Sequence, residues 1–73
     1  MNEYTVFLSW DDEAQVWYCT SDDIPGLILE SSSLDSLVER ARHAAPELLE
    51  LMGRDPANAS LSFKAERHAA VFA

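Results

Sequence analysis

Apolar and polar residues alternate near the start of the chain, in the pattern of a half-buried β-strand. The alternation covers Tyr4–Trp10 and predicts a first strand. A second strand is predicted at Val16–Thr20, a run of β-branched and aromatic residues. The polar segment Asp11–Gln15 between them is short enough for a hairpin loop, so we expect the two strands to pair antiparallel.

A turn and a third strand are predicted next. Within Ser21–Gly26, Pro25 fixes its own φ near about −65°, and Gly26 tolerates the positive φ that a type II turn requires. The apolar run Leu27–Glu30 then predicts a third strand. We expect it to continue the meander, because strands that follow each other in sequence usually lie side by side.

A long amphipathic helix is predicted after the serine cluster Ser31–Ser33, whose hydroxyls can cap its first turn. Pro46 interrupts the pattern and predicts either a kink near Arg42–Ala45 or a break, with Pro46 starting a second short helix. Gly53 is a natural end point. Apolar residues recur at steps of three and four, which marks one helical face: Leu34, Leu37, Val38, Ala41, Ala45, Leu48, Leu49 and Met52.

The last part of the chain alternates again. After a loop at Arg54–Asn58, the segment Ser60–His68 predicts a fourth strand, placed at a sheet edge because it carries Lys64 and Glu66. The tail Ala69–Ala73 is expected to pair with a neighbour or to fray. The predicted fold is α+β, one domain of residues 1–73 in the order β-β-β-α-β, with one helix packed on one face of a small antiparallel sheet.

One helix leaves the second face of such a sheet uncovered. Both faces of the strands carry large apolar groups, so whichever set the helix covers, the other is partly exposed. An exposed apolar patch of this kind usually marks an interface. The sequence places Phe7, Trp17 and Ile28 in one set and Val6, Leu8, Tyr18, Leu27 and Leu29 in the other.

Charge narrows the choice of partner. The 73-residue chain has 13 acidic and five basic residues, for a net charge of −8. Direct binding to nucleic acid is not expected, because it needs clustered Lys and Arg. An acidic surface favours a basic protein partner, or it serves solubility alone. We expect a cytoplasmic protein, since no signal peptide and no apolar run of membrane-spanning length is present.

Few residues are candidates for chemistry. The acidic clusters Asp11–Glu13 and Asp22–Asp23 suit a hard cation, yet plain hairpins would put them at opposite ends of the sheet. A solvated loop or a docking patch is the favoured interpretation. Cys19, alone of its kind, lies on a strand and is expected to pack as a small hydrophobe. We therefore expect no catalytic residue, no metal and no cofactor.

The order of these pieces resembles the N-terminal domain of HicB-type antitoxins, closest to a small stand-alone branch. The resemblance covers roughly residues 4–52. It rests on an acidic turn, a strand with Trp, an Asp-x-Pro-Gly turn, a polar turn before an amphipathic helix and a later Pro-Glu-Leu-Leu-Glu run: Asp11–Glu13, Trp17, Asp23–Gly26, Ser31–Leu34 and Pro46–Glu50.

The resemblance implies a partial ribonuclease-H-like fold and a non-catalytic protein that caps a small basic toxin, which cleaves messenger RNA. It also implies a C-terminal DNA-binding domain, for which this sequence has no room. We expect a protein-interaction module that forms a dimer or a higher homo-oligomer. The alternatives are a divergent metal-dependent ribonuclease and a homo-oligomeric structural protein without a toxin. The expected partner-binding residues are Asp11, Asp12, Trp17, Asp22 and Asp23.

Overall fold

The computed structural model describes residues 2–72. The predicted α+β class and the order β-β-β-α-β are confirmed. A short 3₁₀ turn, Pro56–Asn58, precedes the last strand. The elements are β1 (Asn2–Asp11), β2 (Val16–Thr20), β3 (Leu29–Ser31), α1 (Leu34–Leu51) and β4 (Ala59–Glu66).

The four strands form one mixed sheet in the order β3-β2-β1-β4. β1 pairs antiparallel with β2, and β2 pairs antiparallel with β3. β4 pairs parallel with β1, so the expectation of a wholly antiparallel sheet is wrong. The reason is the helix: α1 carries the chain back along the sheet, so β4 starts at the same end as β1 and joins its free side.

The turn between β2 and β3 is built as the sequence predicts. The Leu27 amide donates to the Ile24 carbonyl at 3.2 Å, and Gly26 has a φ of 92°. Ile24 and Leu27 are fully buried, so the turn contributes two side chains to the core. β3 consequently begins at Leu29, two residues later than predicted.

The helix α1 starts and ends on specific caps. The Ser33 hydroxyl accepts a hydrogen bond from the Ser36 amide at 3.3 Å. At the other end, Gly53 has a φ of 76° and its amide donates to the Glu50 carbonyl. One helix runs through Pro46, so the alternative of a second helix starting there is wrong.

The core lies between α1 and one side of the sheet. α1 packs against β2 and β3, and its buried residues belong to one core cluster with alternate residues of β1. Cys19 is buried among them, as predicted. The buried core residues are Tyr4, Val6, Leu8, Cys19, Ile24, Leu27, Leu37, Ala41, Ala45 and Leu49.

β4 is an edge strand, as predicted, although it ends at Glu66 rather than at His68. Residues 67–72 follow outside any helix or strand, and Ala73, the last residue of the predicted tail, lies outside the described residues. Within residues 2–72, no helix is long and apolar enough to cross a membrane.

Candidate functional site

The carboxylates of the first acidic cluster organise the hairpin loop that carries them. One oxygen of Asp11 accepts hydrogen bonds from the Glu13 and Ala14 amides, both at 3.1 Å. The Asp12 carboxylate accepts from the indole N–H of Trp10 at 3.1 Å. These bonds account for the loop shape, and the loop remains at the surface, where its charge can act on a partner.

In the second acidic cluster, Asp22–Asp23, the carboxylate of Asp23 forms a hydrogen bond to the backbone of β1. β2 ends at Thr20, opposite Phe7, so Thr5 on β1 has no backbone partner from β2. The Asp23 carboxylate accepts from the Thr5 amide at 2.7 Å, and the Ser21 hydroxyl donates to the Thr5 carbonyl. These side chains therefore extend the β1–β2 ladder past the end of β2, whereas Asp22 is exposed.

The two acidic clusters lie far apart. Asp23 contacts Thr5, and Asp11 lies six residues further along the same strand, a separation of about 20 Å at the rise of an extended chain. No single ion could bind both clusters. Among residues 2–72, no group of three or more His, Cys, Asp or Glu side chains is arranged to hold a metal ion.

Trp17 lies on the helix side of the sheet, so its placement in one set with Phe7 is wrong. It pairs with Trp10 across the hairpin and packs, half-buried, against the core. The two rings meet edge to face, with centroids 5.6 Å apart. The Arg67 guanidinium lies 4.1 Å from the Trp10 centroid and covers this pair.

The side of the sheet turned away from α1 is here called the outer face. It consists of the odd-numbered residues of β1 and the even-numbered residues of β2, β3 and β4. At its centre are two exposed aromatic side chains, Phe7 and Tyr18, with 43% and 38% of their surface accessible. They occupy neighbouring strands one row apart, within reach of each other.

Four carboxylates share the outer face with this aromatic centre. Glu30 lies directly beside Tyr18, and Glu66 lies on the same row at the other edge of the sheet, next to Ser9. Asp11 and Glu3 share the outer face, each four residues from Phe7 along β1. Its one basic strand residue, Lys64, lies directly beside Phe7. The outer face is thus acidic overall with an apolar centre, an arrangement that suits association with a basic protein surface.

Sequence reasoning missed Tyr18, Glu30 and Glu66 as members of one face. The signal was the length of the hairpin loop. The predicted five-residue loop, Asp11–Gln15, would put Tyr18 on the helix side of the sheet. In the structure Asp11 pairs with Val16, so the loop is one residue shorter and every side chain of β2 lies on the opposite face from the one predicted.

The thiol of Cys19 is not accessible to reagents in solvent. It is fully buried, and its sulfur lies 3.9 Å from the Leu27 carbonyl oxygen. Burial raises the pKa of the Cys19 thiol, so the protonated form is favoured in the native state. The residue acts as a packing group, as its strand position predicts.

Comparison with known proteins places the chain in a family. The model of a domain of unknown function, DUF1902, matches residues 3–73. The chain belongs to the DUF1902 family. The chain is also similar to a protein of known crystal structure, the hypothetical protein TTHA1013 from the extremely thermophilic bacterium Thermus thermophilus. That protein is 35% identical, and the match covers 94% of this chain and 99% of that one with a TM-score of 0.77. No curated protein matches this DUF1902 chain.

Proposed function

We propose that the chain is a non-enzymatic protein-interaction module of the HicB type, which binds a small basic protein on its outer face. The observation that carries the proposal is the exposed pair Phe7 and Tyr18 on a face that also carries four carboxylates and one lysine. The likeness to HicB-type antitoxins, in strand order and in the Asp-Ile-Pro-Gly turn, supports the same function.

The physical roles of the two parts differ. Aromatic side chains at the centre of an interface supply most of its affinity, provided that a surrounding rim excludes water. The carboxylates of the rim attract a basic partner over a longer range and orient it. The net charge of −8 acts in the same direction.

We propose that the partner is an RNA-cleaving toxin, which the module inhibits. A toxin that binds messenger RNA needs a basic surface for the phosphates. The carboxylates of the outer face would occupy that surface in place of phosphate groups. The module would then neutralise its partner by covering it, with no reaction of its own.

The test begins with the tagged chain in its native cells, from which a stoichiometric small basic protein is isolated and identified. Binding of that protein is then measured for Tyr18→Ala and Glu30→Lys. Glu47→Lys on the exposed side of α1 is the matched control, because it changes the net charge by the same amount. We expect the two outer-face variants to weaken binding at least about tenfold and the control to have little effect.

Equal losses for Glu30→Lys and Glu47→Lys would show that only total charge matters and would contradict docking on the outer face. If the partner cleaves RNA, and if adding the natural chain stops this cleavage, the antitoxin activity would be established. Isolation of the tagged chain alone would instead favour a homo-oligomeric protein without a toxin.

A further inference from the structure

The two edges of the sheet are unequal. β3 is three residues long, whereas β4 is eight residues long and pairs on one side only, with β1. Its other side presents unpaired backbone donors and acceptors. β4 contains no proline, which would block an incoming strand. An open edge of this length is a template for another strand.

An apolar groove of about 320 Å³ runs beside this edge. It exists because α1 packs over β2 and β3, at the far side of the sheet, and leaves the helix side of β4 half-covered. Leu61 and Phe63 form the sheet side of the groove, and Pro46 and Leu49 form the helix side. Pro56, in the 3₁₀ turn, and Arg42, on α1, also line the groove.

The end of the same chain carries two apolar side chains that do not pack against its own fold. Val71 and Phe72 are 91% and 90% exposed. Arg67, stacked on Trp10, holds the start of the tail at the end of the sheet opposite Pro56. A return to the groove of its own chain would need a sharp turn within residues 67–70, which contain no Gly, Pro, Asn or Asp.

We propose that a second copy of the chain docks on this edge by antiparallel β4–β4 pairing around a two-fold axis at Ser62, and that the tails are exchanged. In a continuous sheet, paired residues point to the same side. Leu61 therefore lies opposite Phe63 of the second copy, and both add apolar surface to the grooves. This interface does not depend on the proposed function, because it leaves the outer face free.

The two-fold axis brings each tail to the other copy. Antiparallel strands run past each other, so the residues after Glu66 of one copy pass the 3₁₀ turn of the other. Six extended residues reach about 20 Å. That distance takes Val71 and Phe72 to the end of α1 in the second copy, where Leu51 and Met52 are exposed.

Charge favours this register. With the axis at Ser62, Lys64 lies opposite Ser60 of the second copy, and no like charges oppose each other. An axis at Lys64 would bring two lysines together, which destabilises a strand pair. The chosen register also pairs seven of the eight β4 residues, from Ala59 to Ala65.

The first test is the mass of the full chain in solution, measured by sedimentation over a range of concentrations. We expect a dimer. The tail variant Phe72→Asp should raise the dimer dissociation constant by at least about tenfold, since it removes an apolar contact that each copy makes. Ile28→Asp is the matched control, because Ile28 is 74% exposed and lies near the opposite edge.

The second test determines the register of the β4–β4 pair by cross-linking. Under mild oxidation Ser62→Cys should form a disulfide-linked dimer, because the two residues 62 meet at the axis. Ser60→Cys, on the same strand and the same face, should not, because its two copies lie too far apart. Circular dichroism of each variant checks that the fold is retained.

A monomer at every concentration would overturn the proposal. So would a dimer that tolerates the tail variant and shows equal cross-linking at positions 60 and 62, since it would use another surface. Loss of dimerisation in the tail variant with basic-partner binding intact would support the β4 interface and leave the outer-face function standing.

Discussion

At the scale of single residues, the two neighbouring aspartates of the second acidic cluster should behave differently. Asp23→Ala removes the acceptor of the Thr5 amide and should lower the free energy of unfolding by about 1 kcal/mol or more. Asp22→Ala is the matched control and should change it by less than about 0.5 kcal/mol. Urea unfolding measures both, and equal effects would contradict the structural role of Asp23.

Cys19 gives the native state a dependence on alkaline pH. Burial raises the pKa of its thiol above the ordinary value of 9.0. The native state therefore favours the protonated form, and this stabilisation is complete below the unfolded pKa and is lost as pH rises through the folded pKa. Between the unfolded pKa and the folded pKa, we expect the free energy of unfolding to fall more steeply with pH for the natural protein than for Cys19→Ala. Parallel curves for the two proteins would contradict this.

At the scale of elements, Pro46 lowers the stability of α1, compared with a helix that has a residue with an amide hydrogen at this position. Proline has no amide hydrogen, so the Arg42 carbonyl lacks the donor that a helix normally supplies. Pro46→Ala should raise the free energy of unfolding by about 1–3 kcal/mol, as measured by urea or thermal unfolding. The exposed neighbour variant Glu47→Ala should leave it nearly unchanged. A loss of stability in Pro46→Ala would show that the proline ring packs in the groove more strongly than its missing hydrogen bond costs.

The elements themselves were predictable from local patterns, and their pairing was less so. The strand at Val16–Thr20 has the predicted bounds, and the helix and the turn at Gly26 follow from spacing and from glycine chemistry. The predicted face of Trp17 was wrong. Side chains alternate between the two faces of a strand, so an error of one residue in the loop length moves every side chain of β2 to the opposite face. The parallel pairing of β4 depends on where α1 lies, which no local pattern contains.

The same limit applies to the candidate site. The sequence identified the acidic loops by composition, but not the hydrogen bonds that commit Asp11, Asp12 and Asp23 to the structure of those loops. It also could not assemble the outer face, since Phe7, Tyr18 and Glu30 come from three strands and meet only through their register.

At the scale of the whole molecule, charge repulsion opposes the compact state. The net charge is −8, and the Arg42–Glu39 ion pair is more than half exposed on both sides. Sodium chloride screens this repulsion, so the melting temperature should rise with salt. The double variant Glu47→Gln/Glu50→Gln should show a shallower rise. A melting temperature that falls with salt would mean that attractive pairs outweigh the repulsion.

The parallel pair β1–β4 joins the first and the last strand of the chain, and this has a consequence for synthesis. β1 leaves the ribosome first, yet one of its sides stays unpaired until Ala59–Glu66 has emerged. A nascent chain shorter than this exposes a ten-residue edge whose inward residues include Val6 and Leu8, a target for proteases and for aggregation. Completion of the sheet therefore has to wait for Ala59–Glu66, and stalled chains should become protease-resistant only once β4 is free of the ribosome.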